Sequence, residues 1–114
     1  MSAVTTHILD LTTGRPAAGV AVALERKTHS AGWQAVGQGL TNTDGRVNDL
    51  VPPGEAFMSG HYRLNFEIGS YFLLRNIQCF FPQISISFVV KDSAQHFHVP
   101  LLLSPFGYST YRGS

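Results

Sequence analysis

The 114-residue sequence has little charge, a single cysteine and no long apolar run. Charged residues make up 13% of the chain and hydrophobic residues 44%, and the formal net charge is +1. The few Lys and Arg residues are scattered, so the chain lacks the basic stripe that nucleic-acid-binding proteins carry. No segment approaches the roughly 18 consecutive apolar residues of a membrane-spanning helix. We therefore expect neither nucleic acid nor a membrane as a partner.

The cysteine content and the first residues indicate a reducing compartment. Cys79 is alone, so no internal disulfide can form, which fits a cytoplasmic protein better than a secreted one. We interpret Cys79 as a small buried hydrophobic residue rather than a reactive thiol. No basic stretch followed by an apolar run opens the sequence, so no signal peptide is expected. Residues 1–114 are expected to form a single domain, and the scarcity of charge suggests that another subunit covers part of its surface.

Short strand-like runs alternate with turn residues along the chain. Apolar and polar residues alternate most clearly over 61–68 and again over 84–91, which predicts half-buried strands. Strands are predicted at 4–11, 19–26, 32–41, 46–50, 61–68, 84–91, 95–103 and 106–112. One short helix is predicted near 70–77, with Ser70 as its N-cap, because the residues that follow break the strand rhythm. This pattern is typical of a mostly β protein, an antiparallel two-sheet sandwich of about eight strands.

Two histidines lie two residues apart in the predicted strand 95–103. Alternation directs Phe97 and Val99 toward the core, and His96 and His98 toward the opposite face. A His-x-His pair is a common half of a zinc site, although no obvious set of further ligands accompanies it here. The pair also suits proton transfer near neutral pH, and two partly exposed polar residues need no function at all. Spacing alone favours the last interpretation.

Three further features carry no function when each is considered alone. His7 in the first strand is interpreted as a hydrogen-bonded structural residue, and Arg46, after the turn Asp44-Gly45, as a side chain facing solvent. Residues 108–114 keep a strand-like composition to Ser114, although most termini fray unless they are tied down. They form either an edge strand that simply ends or a segment whose aromatic, guanidinium and carboxylate groups serve a site.

Four segments, in order along the chain, resemble the signature of the transthyretin-related 5-hydroxyisourate hydrolases. The segments are His7-Ile8-Leu9-Asp10 with Gly14-Arg15-Pro16-Ala17, then Thr43-Asp44-Gly45-Arg46, then Phe80-Phe81-Pro82, and finally the stretch from His96 to Ser114. The terminal Tyr111-Arg112-Gly113-Ser114 is the most specific of these, because the related hormone carrier transthyretin lacks it.

The resemblance implies a transthyretin-like sandwich that assembles as a homotetramer, a dimer of dimers with a pair of active sites in each channel between dimers. The implied reaction is the hydrolytic opening of 5-hydroxyisourate to 2-oxo-4-hydroxy-4-carboxy-5-ureidoimidazoline in urate degradation, without a cofactor or a metal. The catalytic residues that the resemblance implies are His7, Arg46, His98 and Ser114. The substrate-binding residues that it implies are His7, Arg46, Tyr111, Arg112 and Gly113.

These groups suit that reaction. Attack of water on an amide-type carbonyl builds negative charge on its oxygen, which the permanently charged Arg46 could stabilise. A neutral imidazole of His7 or His98 could accept the proton of the water, and the sequence does not decide between them. Ser114 is expected to hold the other imidazole and fix its tautomer, and the Tyr and Arg before it are expected to form a planar wall for a flat heterocycle.

Two other functions are compatible with the same residues. A transthyretin-like carrier would bind a small aromatic ligand in the channel between subunits. A zinc-dependent hydrolase that uses His96 and His98 would lose its activity with a chelator.

Overall fold

In the computed structural model, which describes residues 2–114, two β-sheets pack face to face around an apolar core. The first sheet consists of β1 (Val4–Asp10), β2 (Arg15–Pro16), β5 (Arg46–Val47), β8 (Phe97–Ser104) and β9 (Gly107–Thr110). The second consists of β3 (Ala21–Lys27), β4 (Trp33–Leu40), β6 (Gly60–Glu67) and β7 (Gln83–Val90). The strand order is β2-β1-β8-β9 in the first sheet, with β5 also paired to β1, and β4-β3-β6-β7 in the second. A helix, α1 (Ile68–Leu73), follows β6 directly.

The core is built from the alternate residues of facing strands. In β6 the buried side chains are Tyr62, Leu64 and Phe66, and in β8 the core side includes Leu101 and Leu103. Burying one such side chain contributes roughly 1.5–3 kcal/mol to folding. The half-buried Cys79 packs against this core. No helix among residues 2–114 is both long and apolar enough to cross a membrane.

The predicted two-sheet sandwich is confirmed, and every predicted strand overlaps an observed one. Two features go beyond the prediction. Arg15–Pro16, which has the composition of a turn, pairs with the end of β1 as the short strand β2. The pair β1 and β8 runs parallel, from Val4 opposite Phe97 to Asp10 opposite Leu103, whereas the other strand pairs are antiparallel. Alternation along a strand carries no information on the direction of its neighbour, so the sequence could not supply this pairing.

The helix lies earlier than predicted. It spans Ile68–Leu73 and its N-cap residue is Glu67 without a side-chain cap, so the prediction of Ser70 as the cap was wrong. The backbone N–H groups of Ile68 and Gly69 both donate to the Pro82 carbonyl, which replaces the missing cap. The helix ends in a Schellman-type turn, because Asn76 adopts a positive φ of 55° and the Ile77 N–H donates to the Phe72 carbonyl.

Proline in a central strand creates the irregularity that positions the last residues. The pairing of β9 with β8 reaches Leu101 opposite Thr110 and then stops, and a single bridge resumes it at His98 opposite Gly113. Pro100 lies within this gap and has no N–H to donate to a neighbouring strand. Since β8 lies between β1 and β9, the proline marks an interrupted ladder rather than the edge of a sheet.

Candidate active site

Strand register brings three of the predicted residues to one face of the first sheet. His7 in β1 lies opposite Arg46 in β5, and on its other side β1 pairs with β8, where Thr5 lies opposite His98. Directly paired residues project their side chains from the same face with Cβ atoms about 5 Å apart. Because Val4, Thr6 and Ile8 are buried toward the core, His7 and its partners project from the outer face of the sheet. The structure therefore brings His7, Arg46 and His98 together.

A turn clamped against β1 positions Arg46. The side-chain oxygen of Asn42 accepts hydrogen bonds from the backbone N–H groups of Asp44 and Arg46. Gly45 has a positive φ of 73°, and a Cβ atom on it would lie 2.6 Å from the Ile8 carbonyl oxygen, so only glycine fits here. The Ile8 N–H donates to the Gly45 carbonyl in return. This close contact fixes the backbone of Arg46 beside His7.

The hydroxyl of Thr5 lies between two imidazoles. Its Oγ1 atom is 2.8 Å from Nδ1 of His98 and 3.0 Å from Nε2 of His96. Thr5 is only 3% exposed, whereas His98 is half-buried and His96 is exposed. The sequence contains no local signal for Thr5, because its contact with His98 depends on the parallel register between positions 5 and 98. Thr5 was therefore absent from the predicted site.

Burial and positive charge keep both site imidazoles neutral. Burial lowers the pKa of His7 below the usual value for histidine and the nearby Arg46 lowers it further, while the carbonyl and carboxylate of Asp44 act in the opposite direction. Burial also lowers the pKa of His98, followed by the charges of Arg46, His7 and His96, against a hydrogen bond to the Thr5 backbone. At neutral pH both imidazoles are therefore uncharged and able to accept a proton.

Gly113 packs directly on His98. The Gly113 N–H donates to the His98 carbonyl at 2.8 Å. A Cβ atom on Gly113 would lie 2.5 Å from the ring Cδ2 of His98, so a side chain has no space at this position. Residues 111–114, called the tail below, therefore return to the His98 imidazole after the gap at Pro100. The exposed Ser114 follows Gly113 immediately.

Tyr111 and Arg112 lie between the end of β9 and Gly113. The Arg112 guanidinium lies 4.7 Å from the centre of the Phe97 ring, and its Nη2 donates to the side-chain oxygen of Gln95. Both residues line a cleft of about 250 Å³ between the edges of the two sheets. Within one chain they do not converge with the imidazoles, so their contact with a substrate stays a prediction. Ser114 likewise makes no side-chain hydrogen bond to an imidazole among the contacts within residues 2–114, and its proposed role is also untested.

The histidine pair has little around it that resembles a metal site. Within the part of the chain that the structure describes, no group of three or more His, Cys, Asp or Glu side chains is arranged to hold a metal ion. His96 and His98 instead share the Thr5 hydroxyl.

Comparison with known proteins places this arrangement in a family. A family model described as HIUase/transthyretin matches residues 4–113. The 5-hydroxyisourate hydrolase of Salmonella dublin is 48% identical over 108 residues, which cover 95% of this chain and 78% of the relative. The solved structure of the Klebsiella pneumoniae 5-hydroxyisourate hydrolase has a TM-score of 0.82 at 38% identity, covering 97% of this chain and 98% of that one. Transthyretin from Sparus aurata has a TM-score of 0.91 at 29% identity, with 99% and 97% covered. This chain belongs to the HIUase/transthyretin family.

Proposed function

We propose that the chain is a 5-hydroxyisourate hydrolase, which opens the six-membered ring of its substrate to give 2-oxo-4-hydroxy-4-carboxy-5-ureidoimidazoline in urate degradation. The observation that carries the proposal is the convergence of His7, Arg46 and His98 on the outer face of the first sheet. The identity with hydrolases of this family supports the same activity.

In the proposed mechanism His98 is the general base. Its Nδ1 atom faces Thr5, which leaves Nε2 to accept the proton of the attacking water. Such a base is worth roughly 10²–10⁴-fold in rate. Its lowered pKa suits this role, because burial and the charge of Arg46 keep the ring unprotonated near neutral pH. His7 orients the substrate from the neighbouring strand.

Arg46 stabilises the oxyanion that forms as water adds to the carbonyl. Its guanidinium stays protonated throughout the reaction and offers several donors in one plane. Loss of one such stabilising group typically costs about 2.7–4 kcal/mol in the transition state. We propose that Ser114 contributes from the terminal segment next to His98, and that Tyr111, Arg112 and Gly113 complete the substrate site. No resident cofactor takes part in this mechanism.

The proposed enzyme is a cytoplasmic homotetramer, a dimer of dimers made of single-domain subunits. The site lies on an outer sheet face rather than in a closed cavity, so a second subunit facing it would shield the substrate from bulk solvent. Large apolar side chains at the surface support contacts between subunits, since Phe80 is 69% exposed and Phe106 is 68% exposed. Sedimentation of the purified protein tests this assembly, and a monomer that is fully active would contradict it.

The decisive experiment generates 5-hydroxyisourate with uricase and follows its decay with and without the protein. The wild-type chain is expected to accelerate the decay, and His98→Asn and Arg46→Ala are expected to remove most of the acceleration while the fold stays intact. His61→Asn is the matched control, because His61 is exposed on the other sheet. Turnover like wild type in either site variant would refute the assignment of that residue.

A transthyretin-like carrier is the second candidate. The higher TM-score of the Sparus aurata transthyretin favours it on shape alone, although the sequence identity of that protein is lower than that of the Klebsiella pneumoniae hydrolase. The same decay assay separates the two, since a carrier would bind an aromatic ligand and leave the decay rate unchanged.

A further inference from the structure

The hydroxyl of Thr5 has two imidazole neighbours but only one proton. Its distances of 2.8 Å to His98 Nδ1 and 3.0 Å to His96 Nε2 are both hydrogen-bond distances. A hydroxyl donates one hydrogen bond and accepts others. It therefore donates to at most one of the rings, and the other ring must present an N–H to it. The protonation states of the two histidines are coupled through this one side chain.

Only one of the two arrangements is compatible with His98 as the proposed base. A neutral imidazole that accepts a proton on Nε2 carries its own proton on Nδ1. With Nδ1 of His98 protonated, the Thr5 oxygen accepts from it and the Thr5 hydroxyl donates to Nε2 of His96. The lone pair of neutral His98 then lies on Nε2, on the ring edge away from Thr5.

Resting on the proposed hydrolase activity, we propose that Thr5 is a positioning residue that fixes the reactive tautomer of His98. Together with His96 it also accepts a proton from His98 during the reaction and returns it afterwards. His96 is the exposed end of this path, and Thr5 is its buried middle. Neither residue needs to touch the substrate.

The proposed transfer balances with the hydrolysis. Water gives its hydroxyl to the carbonyl carbon and a proton to Nε2 of His98. As Nε2 takes up this proton, the proton on His98 Nδ1 moves to Thr5 Oγ1 and the Thr5 hydroxyl proton moves to Nε2 of His96, which then carries the positive charge. When the carbon–nitrogen bond of the ring breaks, Nε2 of His98 gives its proton to the leaving nitrogen, and the proton on His96 returns through Thr5 to Nδ1. His98 is restored for the next cycle, and the new carboxylic acid loses its own proton to water.

The charged and titratable groups around His98 oppose storage of a proton on it. His7 from β1, Arg46 from β5 and His96 from the preceding loop all lower its pKa, and Ser114 follows the segment that packs on its ring. A proton on His98 is therefore unfavourable at neutral pH, and the path through Thr5 moves it away from the positive charge of Arg46.

Two variants of Thr5 and one control variant test the positioning role. Thr5→Val keeps the shape but loses the hydroxyl, and it is expected to lower kcat by about tenfold to a hundredfold with KM nearly unchanged. This loss is smaller than that of a whole acid–base group, because His98 itself remains. Thr5→Ser keeps the hydroxyl and is expected to retain most of kcat. Thr12→Val is the control, because Thr12 is an exposed threonine in the turn after β1. Wild-type kcat in Thr5→Val, or equal losses in the valine and serine variants, would overturn the role of the hydroxyl.

The relay is tested separately with His96→Gln, with His61→Gln as its control on the other sheet. At low buffer concentration His96→Gln is expected to turn over several-fold more slowly than wild type, and imidazole buffer is expected to restore its rate. Thr5→Val should not be restored, because its His98 is misoriented. A His96→Gln rate that equals wild type and ignores the buffer would overturn the relay.

One readout needs no turnover at all. Nitrogen-15 NMR of labelled wild-type protein is expected to show His98 protonated on Nδ1, and this preference should be lost in Thr5→Val but kept in Thr5→Ser. A His98 protonated on Nε2 in the wild type would refute the positioning role even in an active enzyme. If the decay assay shows no catalysis while the NMR result holds, the proposed function fails and the tautomer assignment stands.

Discussion

A single methyl group at Gly113 is expected to inactivate the enzyme without unfolding it. The Cβ atom of an alanine there would lie 2.5 Å from Cδ2 and 3.3 Å from Cγ of His98, and 3.3 Å from Cγ of Pro100. Carbon atoms make favourable contacts at about 3.5–4.0 Å, so roughly 1 Å of separation is missing on the side of the imidazole. Either the ring turns or the tail moves away from β8.

Both responses affect the site more than the fold. Beyond Thr110 the tail is tied to β8 by the backbone bond from Gly113 to His98, and losing one such bond costs about 0.5–1.5 kcal/mol. A displacement of about 1 Å in a catalytic group, however, can cost on the order of a hundredfold in rate. Gly113→Ala is therefore expected to lose about a hundredfold in kcat/KM with a small change in Tm.

The assay is the uricase-coupled decay of 5-hydroxyisourate, combined with a thermal melt of each variant. Gly107→Ala is the matched control, because Gly107 lies in β9 and a Cβ atom there would meet nothing within 4 Å. The control should retain wild-type kcat/KM. If Gly113→Ala also keeps wild-type activity, the packing of Gly113 on His98 does not position the imidazole for catalysis.

The pH profile, a buried tyrosine and the terminal segment provide three further tests. The acid limb of the profile of kcat/KM against pH should lie below pH 6.5, because the fold lowers the pKa of both site histidines. Activity is then lost only as pH falls through that lowered value. In Arg46→Ala the residual activity should show an acid limb at higher pH, because a positive charge near both histidines is removed. Tyr71→Phe should lower the free energy of unfolding, measured in urea, by about 1–3 kcal/mol, because the Tyr71 hydroxyl donates to the fully buried carboxylate of Asp10. Tyr108→Phe is the control on the surface and should change this free energy little. Residues appended after Ser114 should reduce activity more than an N-terminal tag of the same length, and equal activities would argue against a catalytic terminal segment.

Local patterns in the sequence predicted most of the sandwich. Alternation of apolar and polar residues depends only on the period of a strand, so the core sides of β6 and β8 follow directly from it. The helix was placed less well, because its N-terminus is satisfied by the carbonyl of Pro82 rather than by a side chain nearby in sequence. A cap that comes from 13 or 14 residues further along the chain leaves no local signal.

Residue types and their order indicated the fold class, the family signature and the candidate site residues. Which of these residues meet depends on the tertiary fold. The parallel register of β1 and β8 places Thr5 against His98 across more than ninety residues, and the gap at Pro100 brings Gly113 onto the same ring while Arg112 lies over the ring of Phe97. These contacts depend on pairing between distant strands, and a period of two along one strand contains no information about the partner, direction or register of that pairing.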